Sequence, residues 1–313
     1  MSQTNLEGPA TVASAHAAPA GRMSQRTIRR INGVLFILPA LLLVAAVSIL
    51  PLLQALYYSF TNWNGATASW VGLFNYTSIF VDPDLKRALI NSAMILASIP
   101  LGMFCAFGTA YLLNLGVPGS RFFRALIFAP TALSWVVIGI VARQFFASSG
   151  PINATLEATG LSFLVRNWLA EPVSAMAAVL ITFNAAVFGV NTIIFLTALS
   201  TVDKSTIEAA RLDGASEFRI LFTIIFPAVK RFVEFVFIIT MVTSFTGIFG
   251  LIYVMTGGGP GTATMTLEFA VWRRALSTGA FGSGAAIGIT LMVLVLVVIF
   301  IIRRLGLSRE AAE

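Results

Sequence analysis

The chain has 313 residues, of which 58% are hydrophobic and 11% are charged, and its net charge at pH 7 is +7. Because an average soluble domain has roughly 25% charged residues, this composition excludes an ordinary soluble domain and indicates a protein that crosses a membrane several times. The basic residues lie in short segments between apolar runs, as the positive-inside rule describes, so nucleic acid is not expected as a partner.

The first segment, residues 1–30, is predicted to be a disordered cytoplasmic tail with a basic end. It is rich in Ala, Ser, Pro and Thr, and it ends in the arginines Arg22, Arg26, Arg29 and Arg30. The apolar run that follows is longer than the core of a signal peptide, and no A-x-A cleavage motif closes it. It is therefore interpreted as an uncleaved first span.

Six apolar runs are long enough to cross a membrane, at 34–56, 88–113, 122–146, 173–199, 232–254 and 279–302. Each has about the 20 residues that the hydrocarbon core requires, and a lone strand in lipid would leave its backbone unpaired, so each is predicted to be a helix. The predicted fold is an all-α polytopic membrane domain over 31–306, followed by a short cytoplasmic tail at 307–313.

The orientation follows from the distribution of Lys and Arg. With the N-terminus in the cytoplasm, the inner segments hold 14 of the 20 basic residues and the outer segments hold six. This asymmetry predicts that both termini are cytoplasmic. The polar segment 203–227, between spans four and five, is then a cytoplasmic loop.

Neither a metal site nor a bound nucleotide is predicted for this chain. The single histidine, His16, lies in the tail, and the single cysteine, Cys105, lies in an apolar run where it is predicted to be buried in helix packing. The Gly-rich turn at 256–265 lacks the Lys-Ser/Thr of a phosphate loop, and no Walker motif occurs in the sequence. If the protein uses ATP, another subunit binds it.

The polar loop has the pattern of two short helices. Ser205 and Glu208 fit a capping box, so a helix is expected to begin at Ser205. Asp213 and Gly214 are expected to end that helix, and a second helix is predicted from Ser216 toward the following span. A capped surface helix explains this pattern by itself, although its two alanines would also let a partner approach closely.

The same loop resembles the EAA loop of ABC importer permeases. The matching positions are Glu208, Ala209, Ala210, Gly214, Ile224 and Pro227, with Phe226 where the family usually has Leu. The segments at 70–76, 120–130 and 253–276 resemble the carbohydrate-uptake branch, of the maltose and glycerol-phosphate type. The TGGGP turn is typical of the first of that branch's two permeases.

The resemblance implies a type I importer-like permease fold in a bacterial inner membrane. It implies a heterodimer with a second homologous permease, two ATPase subunits that bind ATP and Mg²⁺, an extracytoplasmic solute-binding protein, and a sugar as the substrate. The chain itself would be non-catalytic and would bind no cofactor. Coupling to the ATPase would involve Glu208, Ala209, Ala210, Asp213 and Gly214.

Polar and aromatic residues within the spans are candidates for a substrate pathway, because sugars are bound by amides, hydroxyls and aromatic faces. Some candidates follow from the residue types and others from the pocket that the resemblance implies. Together they are Thr131, Trp135, Phe183, Asn184, Asn191, Ser244 and Phe245. The two asparagines are seven residues apart and share one helix face. Polar side chains that tie helices together remain an alternative explanation for each residue.

Glu234 is the one acidic residue within a predicted span. An intramembrane carboxylate can serve a proton relay. Lys230 and Arg231 lie four and three residues before Glu234, however, and favour an interfacial ion pair on one helix face.

Two functions of other classes compete with the permease interpretation. An ion-coupled secondary transporter would be expected to have broken helices or a charged pathway residue, but it would leave the EAA pattern unexplained. A membrane-embedded transferase would need an acidic or histidine constellation, and the acidic residues of the outer loops are scattered. Co-purification with an ATPase subunit distinguishes the permease from both.

Overall fold

The computed structural model describes residues 25–304, so residues 1–24 and 305–313 of the predicted tails lie outside the described residues. Over the described range the protein is helical, and its β-pairing is one isolated bridge, between Thr61 and Trp70. The α-helices in chain order are α1 (Gln25–Val44), α2 (Leu50–Tyr58), α3 (Phe74–Val81), α4 (Pro83–Asn114), α5 (Ser120–Phe128), α6 (Trp135–Phe145), α7 (Pro151–Ala158), α8 (Pro172–Leu199), α9 (Lys204–Leu212), α10 (Glu217–Ile220), α11 (Phe226–Thr246), α12 (Phe249–Met255), α13 (Leu267–Trp272) and α14 (Phe281–Arg304).

The chain divides into two compact units, Met1–Leu53 and Gln54–Glu313. In the described part of the first unit, α1 continues through a π-helical segment, Ala45–Ile49, into α2. Its apolar side chains are exposed from Val34 onward, as expected of a helix whose surroundings are lipid or other helices. The second unit contains the remaining helices and the apolar core.

The prediction of an all-α membrane protein is confirmed. Four helices are long and apolar enough to cross a membrane, Asn32–Tyr58, Pro83–Asn114, Pro172–Leu199 and Phe281–Arg304. They correspond to predicted spans one, two, four and six. The number reaches six only if each of two bent helix pairs forms one span.

Spans three and five, expected to be single helices, are broken. Ser120–Ala132 and Trp135–Phe145 meet at 106°, and Glu217–Thr246 and Phe249–Met255 meet at 51°. In span three a 3₁₀ turn containing Pro130 ends the first helix, because proline removes a backbone donor.

The core of the second unit forms where α4 packs against α8 and α11. Side chains such as Ile95, Phe183 and Met241 are fully buried there. At the α4–α8 contact the amide of Asn184 donates to Ser98 Oγ at 2.9 Å, and a Cβ added to Gly102 would lie 2.0 Å from Asn184 Oδ1. A small residue at this position therefore sets how closely the two helices approach.

The prediction that Cys105 is buried in helix packing was wrong. The side chain of Cys105 is exposed. It follows Phe104, which is 69% exposed, whereas Met103 and Ala106 on either side of the pair are buried. An apolar run in a membrane helix does not by itself separate the core face from the lipid face, because both are apolar.

We predict that Gly102→Ala lowers the free energy of unfolding by about 1–3 kcal/mol, because the new Cβ would overlap Asn184. Thermal unfolding in detergent measures the effect. Gly108→Ala is the matched control, since that glycine is on the same helix and a Cβ there meets nothing within 4 Å. Asn184→Ala should relieve the overlap, so additivity of the two changes would contradict this explanation.

Candidate functional site

The ends of both broken spans meet at a cleft of about 170 Å³. Its lining includes Thr131, Leu133, Trp135, Asn191, Thr240 and Thr243. Irregular backbone at membrane depth is tolerated where it is buried in protein or lines a cavity, and discontinuous helices mark substrate sites in many transporters. The cleft is therefore the candidate pathway site.

The aromatic wall of the cleft is Trp135, the first residue of α6. Ser134 caps this helix by accepting a hydrogen bond from the Val137 amide at 3.3 Å, and this fixes where the helix restarts after the bend. The indole stacks on Phe183, with ring centroids 5.9 Å apart and planes at 14°. Phe183 is fully buried, so it holds the indole from behind.

The polar wall comes from α8 and α11. Thr240 donates from its hydroxyl to Asn191 Oδ1 at 3.1 Å, and both residues are at most 3% exposed. The Asn191 amide and the hydroxyls of Thr131 and Thr243 add further polar groups to the lining. An aromatic face beside hydroxyls and an amide suits a neutral polyhydroxylated ligand better than an ion.

The remaining predicted pathway residues lie elsewhere. Asn184 contacts α4 through Ser98 rather than the cleft. Ser244 donates to the Met241 carbonyl within its own helix, and Phe245 is 3% exposed in the core. The structure thus brings Thr131, Trp135 and Asn191 together, with Phe183 behind them.

Sequence reasoning missed the two threonines of α11. Thr240 and Thr243 are three residues apart and so lie on one face of the helix, directed at the cleft. A search for hydroxyl residues spaced three apart along span five would have found them.

The cytoplasmic-loop candidates lie on α9 and at its end. Asp203, not Ser205, is the N-cap, because its carboxylate accepts from the Ser205 amide at 2.9 Å and from the Ser205 hydroxyl at 2.7 Å. The expected capping box is therefore wrong, since the Ser205 hydroxyl is used as a donor. These two donations also lower the pKa of Asp203 below its usual value.

Helix α9 ends as predicted at Asp213 and Gly214. Gly214 has φ +78, and the amide of Ala215 donates to the Ala210 carbonyl at 3.0 Å, while the Gly214 amide donates to the Arg211 carbonyl at 3.0 Å. This pair of bonds is the Schellman arrangement. A residue with a Cβ would be strained at that φ.

The predicted coupling residues do not share one environment. Glu208, Ala209, Asp213 and Gly214 are exposed, whereas Ala210 is half-buried and packs against the core. Within the described residues Glu208 makes no capping hydrogen bond; its charge acts on Arg211, three residues later on the same helix.

A hydrogen-bonded network that the sequence did not reveal joins α9 to span two. Arg211 contacts Glu217 with both Nε, at 2.7 Å, and Nη2, at 3.2 Å. The other partner of Glu217 is the hydroxyl of Tyr111 at the end of α4, which donates at 2.8 Å. The bond to Glu217 raises the pKa of Arg211 above its usual value. The network connects α9 with the start of α10 and with the end of α4.

The second helix of the loop is continuous with span five. From Glu217 the chain runs through α10, a π-helical segment at Leu221–Ile225 and α11 as one helix to Thr246. The prediction of a helix that starts after Ser216 is confirmed, since Ser216 Oγ accepts from the Arg219 amide. One helix thus connects the polar loop with the cleft.

The ion pair expected between Glu234 and Lys230 or Arg231 stays a prediction. Glu234 lines a cavity of about 360 Å³ whose other lining residues are apolar, among them Phe107 and Phe237.

No group of three His, Cys, Asp or Glu side chains within residues 25–304 is arranged to hold a metal ion.

Residues 98–308 match the family model described as "Binding-protein-dependent transport system inner membrane component". The chain belongs to this family. Its relatives include a probable ABC transporter permease protein of Pyrococcus horikoshii, 32% identical over 85% of this chain and 92% of that protein. Another is the diacetylchitobiose uptake system permease protein NgcF of Streptomyces coelicolor, 29% identical over 92% of this chain and 88% of that protein.

Solved structures share the fold. A chain of a bacterial ABC transporter that imports the acidic polysaccharide alginate aligns with a TM-score of 0.78, at 18% identity, over 92% of this chain and all of that chain. A second structure, of an alginate transporter in complex with a periplasmic protein that holds an alginate pentasaccharide, aligns with a TM-score of 0.77, at 17% identity, over 90% of this chain and 96% of that chain.

The predicted family is therefore confirmed. This chain is the membrane component of a binding-protein-dependent ABC transport system and is not itself the ATPase. Broken helices were expected of an ion-coupled transporter, but the family membership shows that they occur in this class as well.

Proposed function

We propose that the chain forms half of the sugar pathway in an ATP-driven importer of a bacterial inner membrane, with both termini in the cytoplasm. Its partners are a second homologous permease, two ATPase subunits that bind ATP and Mg²⁺, and an extracytoplasmic solute-binding protein. The sugar class is supported by the diacetylchitobiose uptake system to which the chain is similar.

The observation that carries the proposal is the composition of the cleft. Trp135 offers an aromatic face over Phe183, and Asn191 and Thr240 place an amide and a hydroxyl beside it. Sugars present apolar C–H faces and rings of hydroxyls, which match an aromatic face next to neutral polar groups. Among residues 25–304, no charged side chain lines the cleft, so a neutral or weakly charged substrate is favoured.

The coupling role is assigned to α9 and the turn that follows it. The exposed residues Glu208 and Ala209 form the proposed contact with the ATPase, and the Arg211–Glu217–Tyr111 network carries displacement of α9 into spans two and five. The continuous helix Glu217–Thr246 supplies the connection to the cleft.

The central test is to purify the tagged chain together with the subunits that bind it. The ATPase activity of this complex is then measured in the presence of the solute-binding protein. We expect stimulation by at least one member of a panel that includes diacetylchitobiose and an alginate pentasaccharide. Absence of an ATPase subunit would contradict the importer, and absence of any response to sugars would contradict the substrate class.

Asn191→Ala should raise the sugar concentration for half-maximal ATPase stimulation about tenfold, because a hydrogen-bonding group of the cleft is lost. Asn184→Ala is the matched control: it removes the same side chain from the same helix, at the α4 contact rather than in the cleft. It should leave that concentration unchanged and lower the thermal unfolding temperature. Equal effects of both changes on the sugar response would contradict the assignment of the cleft.

Gly214→Leu should abolish sugar transport while leaving membrane insertion intact. A leucine at φ +78 costs about 1–2 kcal/mol, and the simplest relief is to change the turn that presents α9. Gly214→Asn should retain most of the transport, since asparagine tolerates this conformation. Wild-type transport and ATPase stimulation in Gly214→Leu would exclude a role of the turn in coupling.

A further inference from the structure

An acidic side chain closes the break in span five. Glu268, the second residue of α13, accepts a hydrogen bond from the Phe249 amide at 2.9 Å, and the Ile248 amide also donates to it. These are the amides of the N-cap and of the first residue of α12, which have no partner within that helix. In an apolar surrounding such amides must find an acceptor, so Glu268 allows the helix to restart after Gly247.

The same break is packed against the aromatic wall of the cleft. A Cβ added to Gly247 would lie 3.1 Å from Trp135 Nε1, and one added to Gly250 would lie 3.5 Å from Trp135 Cβ. On the next turn a Cβ at Gly139 of α6 would meet the Leu251 carbonyl at 3.0 Å. Helices α12 and α6 therefore touch backbone to backbone, and a shift of α12 moves Trp135 with it.

We infer that Glu268 is a positioning residue of the cleft, which sets the place of Trp135 through the break between α11 and α12. This inference rests on the proposed function only in taking the cleft as the sugar site. Glu268 does not line the cleft, and it acts through the two amides and the glycine contact.

Charge on this carboxyl changes near neutral pH, because burial raises the pKa of Glu268 to about 7. The structure describes no ion pair for Glu268. Two arginines follow α13, and each has an acidic partner: Arg273 lies 3.7 Å from Asp84, and Arg274 pairs with Asp82. The phenol ring of Tyr253 packs against Phe249. Ionised Glu268 binds both amides more strongly than the protonated form does.

Ionisation of Glu268 strengthens these two hydrogen bonds but lowers the free energy of unfolding of the whole chain. A carboxyl whose pKa is raised in the folded chain favours folding most at low pH, and this contribution is lost as the pH rises through about 7. The free energy of unfolding of the wild-type protein should therefore fall as the pH rises toward about 7, and Glu268→Gln should lack this part of the pH dependence.

The experiment uses the full chain, labelled with 5-fluorotryptophan and reconstituted in liposomes, with the Trp135 resonance assigned by Trp135→Phe. In the wild type we expect the fluorine shift of Trp135 to change with a midpoint near pH 7. Glu268→Gln should remove this transition. Glu268→Leu should displace the resonance at every pH and speed hydrogen exchange of the Phe249 amide about tenfold.

Glu157→Gln is the control, because it neutralises an exposed carboxyl on α7 and should behave as the wild type does. If Glu268→Leu fails to fold, the Glu268→Gln arm decides by itself. A wild-type pH transition of Trp135 in folded Glu268→Gln, or a wild-type resonance and amide exchange in folded Glu268→Leu, would overturn the inference.

The complex supplies a second readout. With the sugar that stimulates ATPase, Glu268→Leu should raise the half-maximal sugar concentration about tenfold and leave the maximal rate within about twofold, as expected when binding is lost rather than turnover. A wild-type sugar dependence would contradict the role in the cleft. If no sugar stimulates the complex, the proposed function fails, while the Trp135 measurements still test Glu268.

Discussion

The fold depends on one constraint, which is that backbone amides and carbonyls in an apolar surrounding need partners. Long helices satisfy it internally, and α4, α8 and α14 are the direct result. Where the chain departs from a helix, a side chain supplies the missing partner: Ser134 does so after the first bend and Glu268 after the second. The cleft forms because the backbone amides at both breaks have hydrogen-bond acceptors and because the two breaks lie side by side.

Close helix contacts are the second requirement, and glycines provide them at chosen points. The side chain of Asn184 packs against Gly102, and the backbone of α12 packs against Gly139. A Cβ at Gly189 would lie 2.4 Å from the Ile127 carbonyl oxygen. Without a hydrophobic driving force between helices in lipid, such packing carries much of the association energy. The contacts therefore determine which side chains face the cleft and which face another helix.

The sequence was sufficient for the class, for spans one, two, four and six and for the helix–bend–helix loop, because each rests on local patterns of hydropathy and glycine. It was not sufficient for the bends, since Gly247 has the same local signal as any glycine in an apolar run. Neither could it separate Asn184 from Asn191, which share a helix face but meet different helices. The partners of Glu217 and Glu268 lie on other elements, and only the tertiary structure identifies them.

The uninterrupted helix Glu217–Thr246 has a mechanical consequence. At 1.5 Å per residue it is about 45 Å long, so a tilt of about 5° about its cytoplasmic end displaces the other end by about 4 Å. That far end carries Thr240 and Thr243 and adjoins the bend at Gly247. In the proposed mechanism the helix would act as a lever, because a small rotation at the polar loop would widen or close a space the size of a sugar ring.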